Sequence, residues 1–360
     1  MANPADPGRH WRSRMTDYLF ESDINRVPAD TRSGTLETKD GKVLRYAITQ
    51  GAGGSPRGTV LLLQGRNEYI EKYYETIADL AAGGLTVVSF DWRGQGGSSR
   101  MLRDTLRGHV DSFDDYVLDL EKVLNSLVLP HCPPPYYILA HSTGGLIALL
   151  GAPVLARHIR RMVLVSPFLG LPRSRLELGG IRLATGTLGL IGLGRYYANG
   201  RRRRLGAASP FAGNPLTSDP RRYTRNAETV RRWPQLGLAG PTARWVSAAL
   251  QAIERINTRA FAMNFNIPTL IVAAGADRVV STLATERFAA RLRNGALLTI
   301  DGARHEILQE ADFFREQLLA AFDAFVPGSN EIDIEHLPAS KVDARKKSAQ
   351  PELSKSSAAR

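Results

Sequence analysis

The sequence holds a single cysteine, Cys132, in 360 residues. An intrachain disulfide is therefore excluded, and so is a metal site built on cysteine ligands. It also lacks a run of about 18 apolar residues, the stretch that marks a bilayer-spanning helix, so no transmembrane helix is expected. Residues 1–18 are polar and include Pro4, Pro7 and several arginines; they lack the apolar stretch of a secretory signal. A reducing, cytoplasmic setting fits these absences. Acidic residues are outnumbered, 35 against 47 Lys and Arg, for a net charge of +12 and a pI near 10.0. That balance suits anionic membrane or nucleic acid as a partner. No helix-turn-helix, zinc-finger or RNA-binding signature accompanies it, so nucleic acid is not expected. The charge lies in the arginine block 201–204, beside the apolar stretch 181–194, and in a C-terminal run with Lys341, Arg345, Lys346, Lys347, Lys355 and Arg360. A merely solvated surface and peripheral contact with the inner face of an anionic membrane both remain open. Nothing signals a metal or a cofactor.

Hydrophobic residues make up 43% of the chain, ordinary for a globular protein. Residues 1–30 read as a weakly structured N-terminal extension. Residues 34–39 and 42–50 read as two strands around the turn Asp40-Gly41. From Gly58 strands alternate with helices. Residues 59–63 (TVLLL), 85–90, 136–140 and 162–165 are short apolar runs, as expected of strands buried on both faces. Helices are expected at 73–82 and 144–155. Another is expected at 112–129, where Phe113, Tyr116, Val117, Leu120, Val123, Leu124 and Leu127 recur at helical spacing. Asp111 or Ser112 would cap that helix and Pro130 would end it. The alternation stops at 168–266, which carries one expected helix at 242–256. It resumes with a strand at 269–273, a helix at 282–292, a strand at 296–300 and a helix at 311–325. Residues 327–360 are poor in apolar side chains and read as a disordered tail.

Repeated strand–helix units imply a mostly parallel sheet with helices on both faces, made mixed by the first hairpin. The expected organisation is a core in two halves, 31–167 and 267–326, with 168–266 inserted between them as a cap.

The segment Tyr136 to Gly145 reads strand, tight turn, helix. It fits the nucleophile elbow G-x-S-x-G around Ser142, with Ala140 in place of the first glycine. The turn lifts the serine hydroxyl to a helix N-terminus, where developing negative charge is favoured. A serine hydroxyl needs a base within reach. In this arrangement acid and base follow the serine in chain order, each after a strand. His305, after strand 296–300, is the candidate base. Asp277, after strand 269–273, is the candidate acid, with Asp301 its rival. His141, adjacent to the serine on a sharp turn, reads as an elbow residue. One oxyanion donor should be the backbone N–H of Thr143. The second is assigned to Arg66, in the loop Gln64-Gly65-Arg66-Asn67-Glu68. If His305 is the base, activity should rise as an ordinary imidazole loses its proton, around pH 6 to 7.

At these residues the chain resembles the lysophospholipase and monoacylglycerol lipase branch of the α/β-hydrolases, which includes S33-type serine aminopeptidases. The branch motif H-G-x-x-E-H-x-x-R-Y stands here as Gln64-Gly65-Arg66-Asn67-Glu68-Tyr69-Ile70-Glu71-Lys72-Tyr73. Its D-x-R-G-H-G-x-S stands as Asp91-Trp92-Arg93-Gly94-Gln95-Gly96-Gly97-Ser98. The elbow, Gly275-Ala276-Asp277 and the late histidine match too. Asn214 to Asp219, Gly240-Pro241-Thr242 and Trp245 are similar to bacterial lysophospholipase-like members. The resemblance spans residues 18–326. It departs at Gln64 and Gln95, where the branch commonly has His; glutamine can still bond to backbone, so the loops are expected to hold.

The resemblance implies a serine carboxylic-ester hydrolase acting on a lysophospholipid or monoacylglycerol through an acyl-enzyme. Phe168, Trp233 and Trp245 are candidates for the substrate pocket. The stretch 181–193 is either a core-packed cap helix or an apolar lip that admits acyl chains. Two other functions compete. An aminopeptidase would need an acidic group, such as Glu68, to hold the substrate amine. A non-catalytic binding protein would be expected to have lost a member of the triad.

Overall fold

The computed structural model describes residues 18–53, 57–198 and 211–326. The arginine block 201–204 and the tail 327–360 lie outside them. The strands are β1 (Thr31–Glu37), β2 (Val43–Thr49), β3 (Thr59–Leu63), β4 (Thr86–Phe90), β5 (Arg107–Gly108), β6 (Tyr136–His141), β7 (Ile159–Val165), β8 (Gly240–Pro241), β9 (Thr269–Ala274) and β10 (Gly295–Ile300). The helices are α1 (Tyr74–Ala82), α2 (Phe113–Val123), α3 (Leu129–His131), α4 (Thr143–Leu150), α5 (Ala152–Leu155), α6 (Arg175–Leu190), α7 (Pro220–Arg232), α8 (Ala243–Ile256), α9 (Arg259–Asn264), α10 (Thr282–Ala289) and α11 (Asp312–Phe325).

Eight strands form one sheet in the order β1-β2-β4-β3-β6-β7-β9-β10. β2 pairs antiparallel with β1 and β4, and every other pairing is parallel. The mixed, mostly parallel α/β sheet expected from the sequence is therefore present. The two-residue period of a strand explains its burial on both faces. In β3, Leu61 and Leu63 join a core with Phe113 and Leu120 of α2, Leu146 of α4 and Trp245 of α8. Val60 and Leu62 point the other way, into a core with Ile77 of α1 and Phe322 of α11. Parallel strands carry their C-terminal ends along one rim, so the loops after β3, β6, β9 and β10 meet there.

Three expectations need correction. Residues 18–30 carry no regular helix or strand, yet they are fastened to the core: the Phe20 N–H donates to Glu71, and Asn25 Nδ2 donates to the Glu71 carbonyl at 2.8 Å. Pro130 does not end its helix. A π turn at Leu124–Val128 follows α2, and α3 carries Pro130 onward. The Leu129 N–H bonds back to the Leu124 carbonyl, so the hydrogen-bond register has already shifted where proline supplies no donor. The third concerns 181–193. In α6 only Thr185 is buried, while Leu183 and Leu190 are 74% and 90% exposed. The core-packed alternative is therefore wrong for this helix.

Among its described residues, segment 168–266 adds no strand to the main sheet; its β8 pairs with β5. Helix α7 is fastened to the core by ions. Arg222 reaches Glu75 at 2.5 Å and Asp312 at 2.7 Å, and Arg225 reaches Glu75 at 2.6 Å. Among the described residues no helix is long and apolar enough to cross a membrane.

Burial works to raise the Glu75 pKa, but the bonds from Arg222 and Arg225 outweigh it and bring it down to about 2. A carboxylate with a depressed pKa stabilises the fold above its ordinary value, 4.5 here, and that contribution is lost as pH falls through the folded-state value. Glu75→Gln should therefore lower the urea midpoint at pH 7. The gap from wild type should narrow between about pH 4.5 and 2. A gap that stays constant over this window would assign the effect to packing instead.

Candidate active site

Ser142 sits between β6 and α4 at φ 50° and ψ −114°. A non-glycine residue in such a region costs about 1–3 kcal/mol, so its surroundings must impose the conformation. They do so by close approach. A Cβ at Gly144 would lie 2.5 Å from the Leu63 carbonyl oxygen, and one at Gly145 2.9 Å from Pro167. Ala140, in the position of the elbow's first glycine, is fully buried between β3 and β7. The Ser142 carbonyl accepts from the N–H groups of Phe168 at 2.9 Å and Gly145 at 3.0 Å.

Three loops converge on this hydroxyl. His305 Nε2 lies 3.0 Å from Ser142 Oγ, and His305 Nδ1 lies 2.8 Å from Asp277 Oδ2. A carboxylate only accepts, so Nδ1 carries the proton and Nε2 offers its lone pair to the serine. The other oxygen of Asp277 accepts from the backbone N–H groups of Val279 at 2.7 Å and Val280 at 3.0 Å. Burial pushes the Asp277 pKa up; the His305 contact and these two donors push harder, and it lies below the usual carboxylate value. Asp301 is exposed at the turn after β10, and the His305 ring bonds to Asp277 instead. The His305 loop is clamped from outside: the Glu306 N–H donates to the Leu216 carbonyl at 2.8 Å, and Arg304 reaches the carbonyls of Asn214 and Thr217.

Thr143 opens α4, so its N–H has no acceptor within the helix. Thr143 and Arg66 both line the cavity that contains Ser142 and His305, with a volume of about 630 Å³. One wall is apolar, with Leu171, Val246, Leu250 and Val279. Phe168 and Trp245 also belong to it, their rings nearly parallel at 6.3 Å. Trp233 does not. It follows the C-terminus of α7, where its ring packs 5.3 Å from that of Phe20. The face of α7 turned to the cavity carries Tyr223, Asn226 and Val230 instead. The pocket assignment of Trp233 is thus wrong, because the helix ends before it and the N-terminal segment covers it.

Beneath the histidine lies a buried charge cluster that the sequence reading did not assemble. Glu68 accepts from Lys72 at 2.8 Å, Tyr73 at 2.6 Å, His141 Nδ1 at 3.1 Å and the Gly65 N–H. Lys72 also reaches Glu306 at 2.6 Å. His141 Nε2 lies 3.2 Å from the backbone oxygen of His305. A legible signal existed, since Glu68 and Lys72 stand four residues apart and Glu306 adjoins His305. Gln64 bonds to Ser89 and Asp91 side chains, whereas Gln95 bonds to backbone.

A family profile described as serine aminopeptidase, S33, matches residues 54–312. The chain belongs to this family. The S33-family chain is 35% identical over 284 residues to lysophospholipase L2 of Escherichia coli K12, covering 74% of this chain and 79% of that one. It is 32% identical over 272 residues to a probable lysophospholipase L2 of Haemophilus influenzae, covering 75% and 84%. The crystal structure of a soluble variant of monoglyceride lipase from Saccharomyces cerevisiae is similar at a TM-score of 0.66. It has 21% identity and covers 86% of this chain and 98% of that one. This likeness shows the α/β-hydrolase fold.

The two contacts of His141 decide its charge. Both partners, a carboxylate and a carbonyl, only accept, so both ring nitrogens must donate. Burial pushes the ring's pKa down, but Glu68, with Glu306 behind it, pushes harder and raises it above the usual imidazole value. A raised pKa means the cation's stabilisation is complete below the ordinary value and is lost as pH rises through the folded one. Ring-nitrogen NMR at pH 7 should find both nitrogens of His141 protonated. A single neutral tautomer would contradict the assignment.

Proposed function

We propose that the protein is a serine hydrolase that cleaves carboxylic esters of lipids, with a lysophospholipid or monoacylglycerol as substrate. The observation that carries this reading is the hydroxyl–imidazole–carboxylate chain, 3.0 and 2.8 Å, at the floor of a cavity with an apolar wall. The relatives named for lysophospholipid hydrolysis support it. In the proposed reaction Ser142 Oγ attacks the ester carbonyl carbon while His305 Nε2 takes its proton. The N–H groups of Arg66 and Thr143 receive the negative charge on the carbonyl oxygen. Collapse breaks the bond to the glycerol oxygen, which takes the proton from His305. Water, deprotonated by the same ring, then cleaves the acyl-enzyme. Asp277 orients the imidazole and stabilises its cation. Phe168, Leu171, Trp245 and Leu250 would receive the acyl chain.

Other readings find less support. Glu68, the group needed to hold a substrate amine in an aminopeptidase, already accepts four hydrogen bonds from within the protein. Three of these fall on Oε2, and the buried Lys72 ammonium already pairs with Oε1. A non-catalytic protein has no need for an ordered triad. In our reading, segment 168–266 acts as a cap over the cavity, and α6 touches the membrane. In favour stand the exposed side chains of Leu176, Leu183, Leu190 and Ile191, beside Arg173 and Arg175. An anionic leaflet would attract these arginines and receive the leucines.

Two outcomes follow. Wild-type protein should release fatty acid from lysophosphatidylethanolamine and react with a fluorophosphonate, and Ser142→Ala should do neither. Faster turnover of an aminoacyl anilide than of any lipid ester would reverse the assignment. Wild-type protein should also sediment with anionic vesicles in a salt-sensitive way, and Leu183→Glu combined with Leu190→Glu should weaken that binding at unchanged turnover of a soluble nitrophenyl ester. Equal binding by the double variant would remove α6 from the membrane.

A further inference from the structure

We propose that Gln95 is a positioning residue that sets the direction of one oxyanion donor, the Arg66 N–H, by holding the peptide unit to which it belongs. The proposal rests on the hydrolase reading above and adds to it a residue outside the cavity.

The argument begins with a single planar group. The Gly65 carbonyl and the Arg66 N–H belong to one trans peptide unit and point in opposite directions in its plane. Whatever fixes the carbonyl fixes the N–H. Gln95 Nε2 donates to the Gly65 carbonyl at 2.8 Å and to the Glu68 carbonyl at 3.2 Å. Its Oε1 accepts from the Asn67 N–H at 3.2 Å. The two carbonyls can only accept and the N–H can only donate, so this pattern also fixes which end of the amide is nitrogen. All three backbone groups belong to the turn 65–68. Gln95 is 4% exposed and is absent from the cavity wall, whereas Arg66 is part of that wall. Drawing the Gly65 carbonyl toward Gln95 therefore aims the Arg66 N–H at the opposite, cavity side.

This peptide unit needs such a hold. Reversing it requires rotation about ψ of residue 65 and φ of residue 66, and glycine at 65 makes the first rotation cheap. Gly65 cannot be exchanged for a stiffer residue, because a Cβ there would lie 2.7 Å from Glu68 Oε2 and 3.0 Å from His141 Nδ1. The other proposed donor is held in the same manner. The Thr143 N–H shares its peptide with the Ser142 carbonyl, which accepts from Phe168 and Gly145. Helix α4 and its neighbouring loop supply those donors, while the Gly65 carbonyl takes its donor from a side chain.

Gln95 is itself fixed. Its turn, Asp91 to Ser98, closes on the Asp91 carboxylate, which accepts from the Gly97 N–H at 2.6 Å and pairs with buried Arg45 at 2.5 Å. Gly96, at φ 55°, lies so close to Asp91 that a Cβ would fall 2.1 Å from its oxygen. The amide also suits the task better than most side chains. It offers two donors and an acceptor on one rigid plane, and all three are used.

The test uses full-length protein, lysophosphatidylethanolamine turnover and the rate of fluorophosphonate labelling. Gln95→Met removes the amide at nearly equal length. We expect kcat to fall roughly 10- to 100-fold, labelling to slow by the same factor, and KM to stay within about two-fold, with the urea midpoint near wild type. Gln95→His, which keeps one ring N–H, should recover part of the rate. Gln95→Glu keeps the shape and the Asn67 contact but turns an acceptor toward both carbonyls, and should lose at least as much rate as Gln95→Met. Wild-type kcat in any folded Met or Glu variant overturns the proposal, as does a loss that falls on KM alone or tracks the urea midpoint. If wild-type protein neither hydrolyses the lipid nor labels, the hydrolase reading falls and the proposal falls with it. If wild type labels and Gln95→Met labels equally fast, the proposal alone is overturned.

Discussion

A serine forced to positive φ between a buried strand and a buried helix is the constraint on which the rest of the site depends. At φ 50° the Ser142 side chain leaves the line of β6 and stands over the sheet rim. The conformation survives because its neighbours permit and require it. Gly144 lets the start of α4 close against the end of β3, and the backbone of 165–168 closes the turn from the β7 side. The same close approach brings the β3 loop beside the first N–H of α4. One tight turn thus decides where the hydroxyl stands and which backbone segments lie beside it.

Buried charge then arranges the loops around that point. Arg45 is enclosed with Glu71 and Asp91, joining β2, the segment before α1 and the loop after β4. Glu68, Lys72, Glu306 and His141 form a second cluster. Ions buried in this way contribute little net stability compared with a well-packed apolar core, but removing one partner is costly, about 3–5 kcal/mol. Their arrangement is therefore selective for geometry. The partners come from β2, the segment 68–72, the loop after β4, the end of β6 and the His305 loop, so displacing any one of these strands a charge in the others. Loops, which are ordinarily the most variable parts of a fold, are here tied to one another beneath the hydrogen-bonded Ser142, His305 and Asp277.

The central strands and their loops were legible because their signals are local. TVLLL at 59–63 reads as a strand from five residues alone, and strand order then places Ser142, Asp277 and His305 in the loops after β6, β9 and β10 at one rim. Segment 168–266 was far less legible. α6 contains Gly179, Gly180, Gly186 and Gly189, which argue against helix at roughly 1 kcal/mol each relative to alanine. α7 carries Arg221, Arg222, Arg225, Arg231 and Arg232 and few apolar residues, so hydrophobic period is weak. Its start was nevertheless written in Asp219-Pro220, a capping side chain before a proline at the first helical position. Trp233 misled for a related reason: a large aromatic signals burial but not the partner, and Phe20 lies more than 200 residues away in sequence.

The least legible feature couples these two parts of the molecule. Asn214, Leu216 and Thr217 offer their carbonyls to the loop that carries His305, and Asp219 begins the helix that Arg222 and Arg225 fasten to α1. The histidine is thus held by contacts from residues 214–217 as well as by Asp277. A rearrangement of α7 that broke the Glu75 and Asp312 pairs would loosen 214–219 and, with it, the clamp on Glu306 and Arg304. The position of the imidazole nitrogen facing Ser142 is consequently a property of both parts. That is why residues far apart in the chain, with no shared motif, must agree on one geometry.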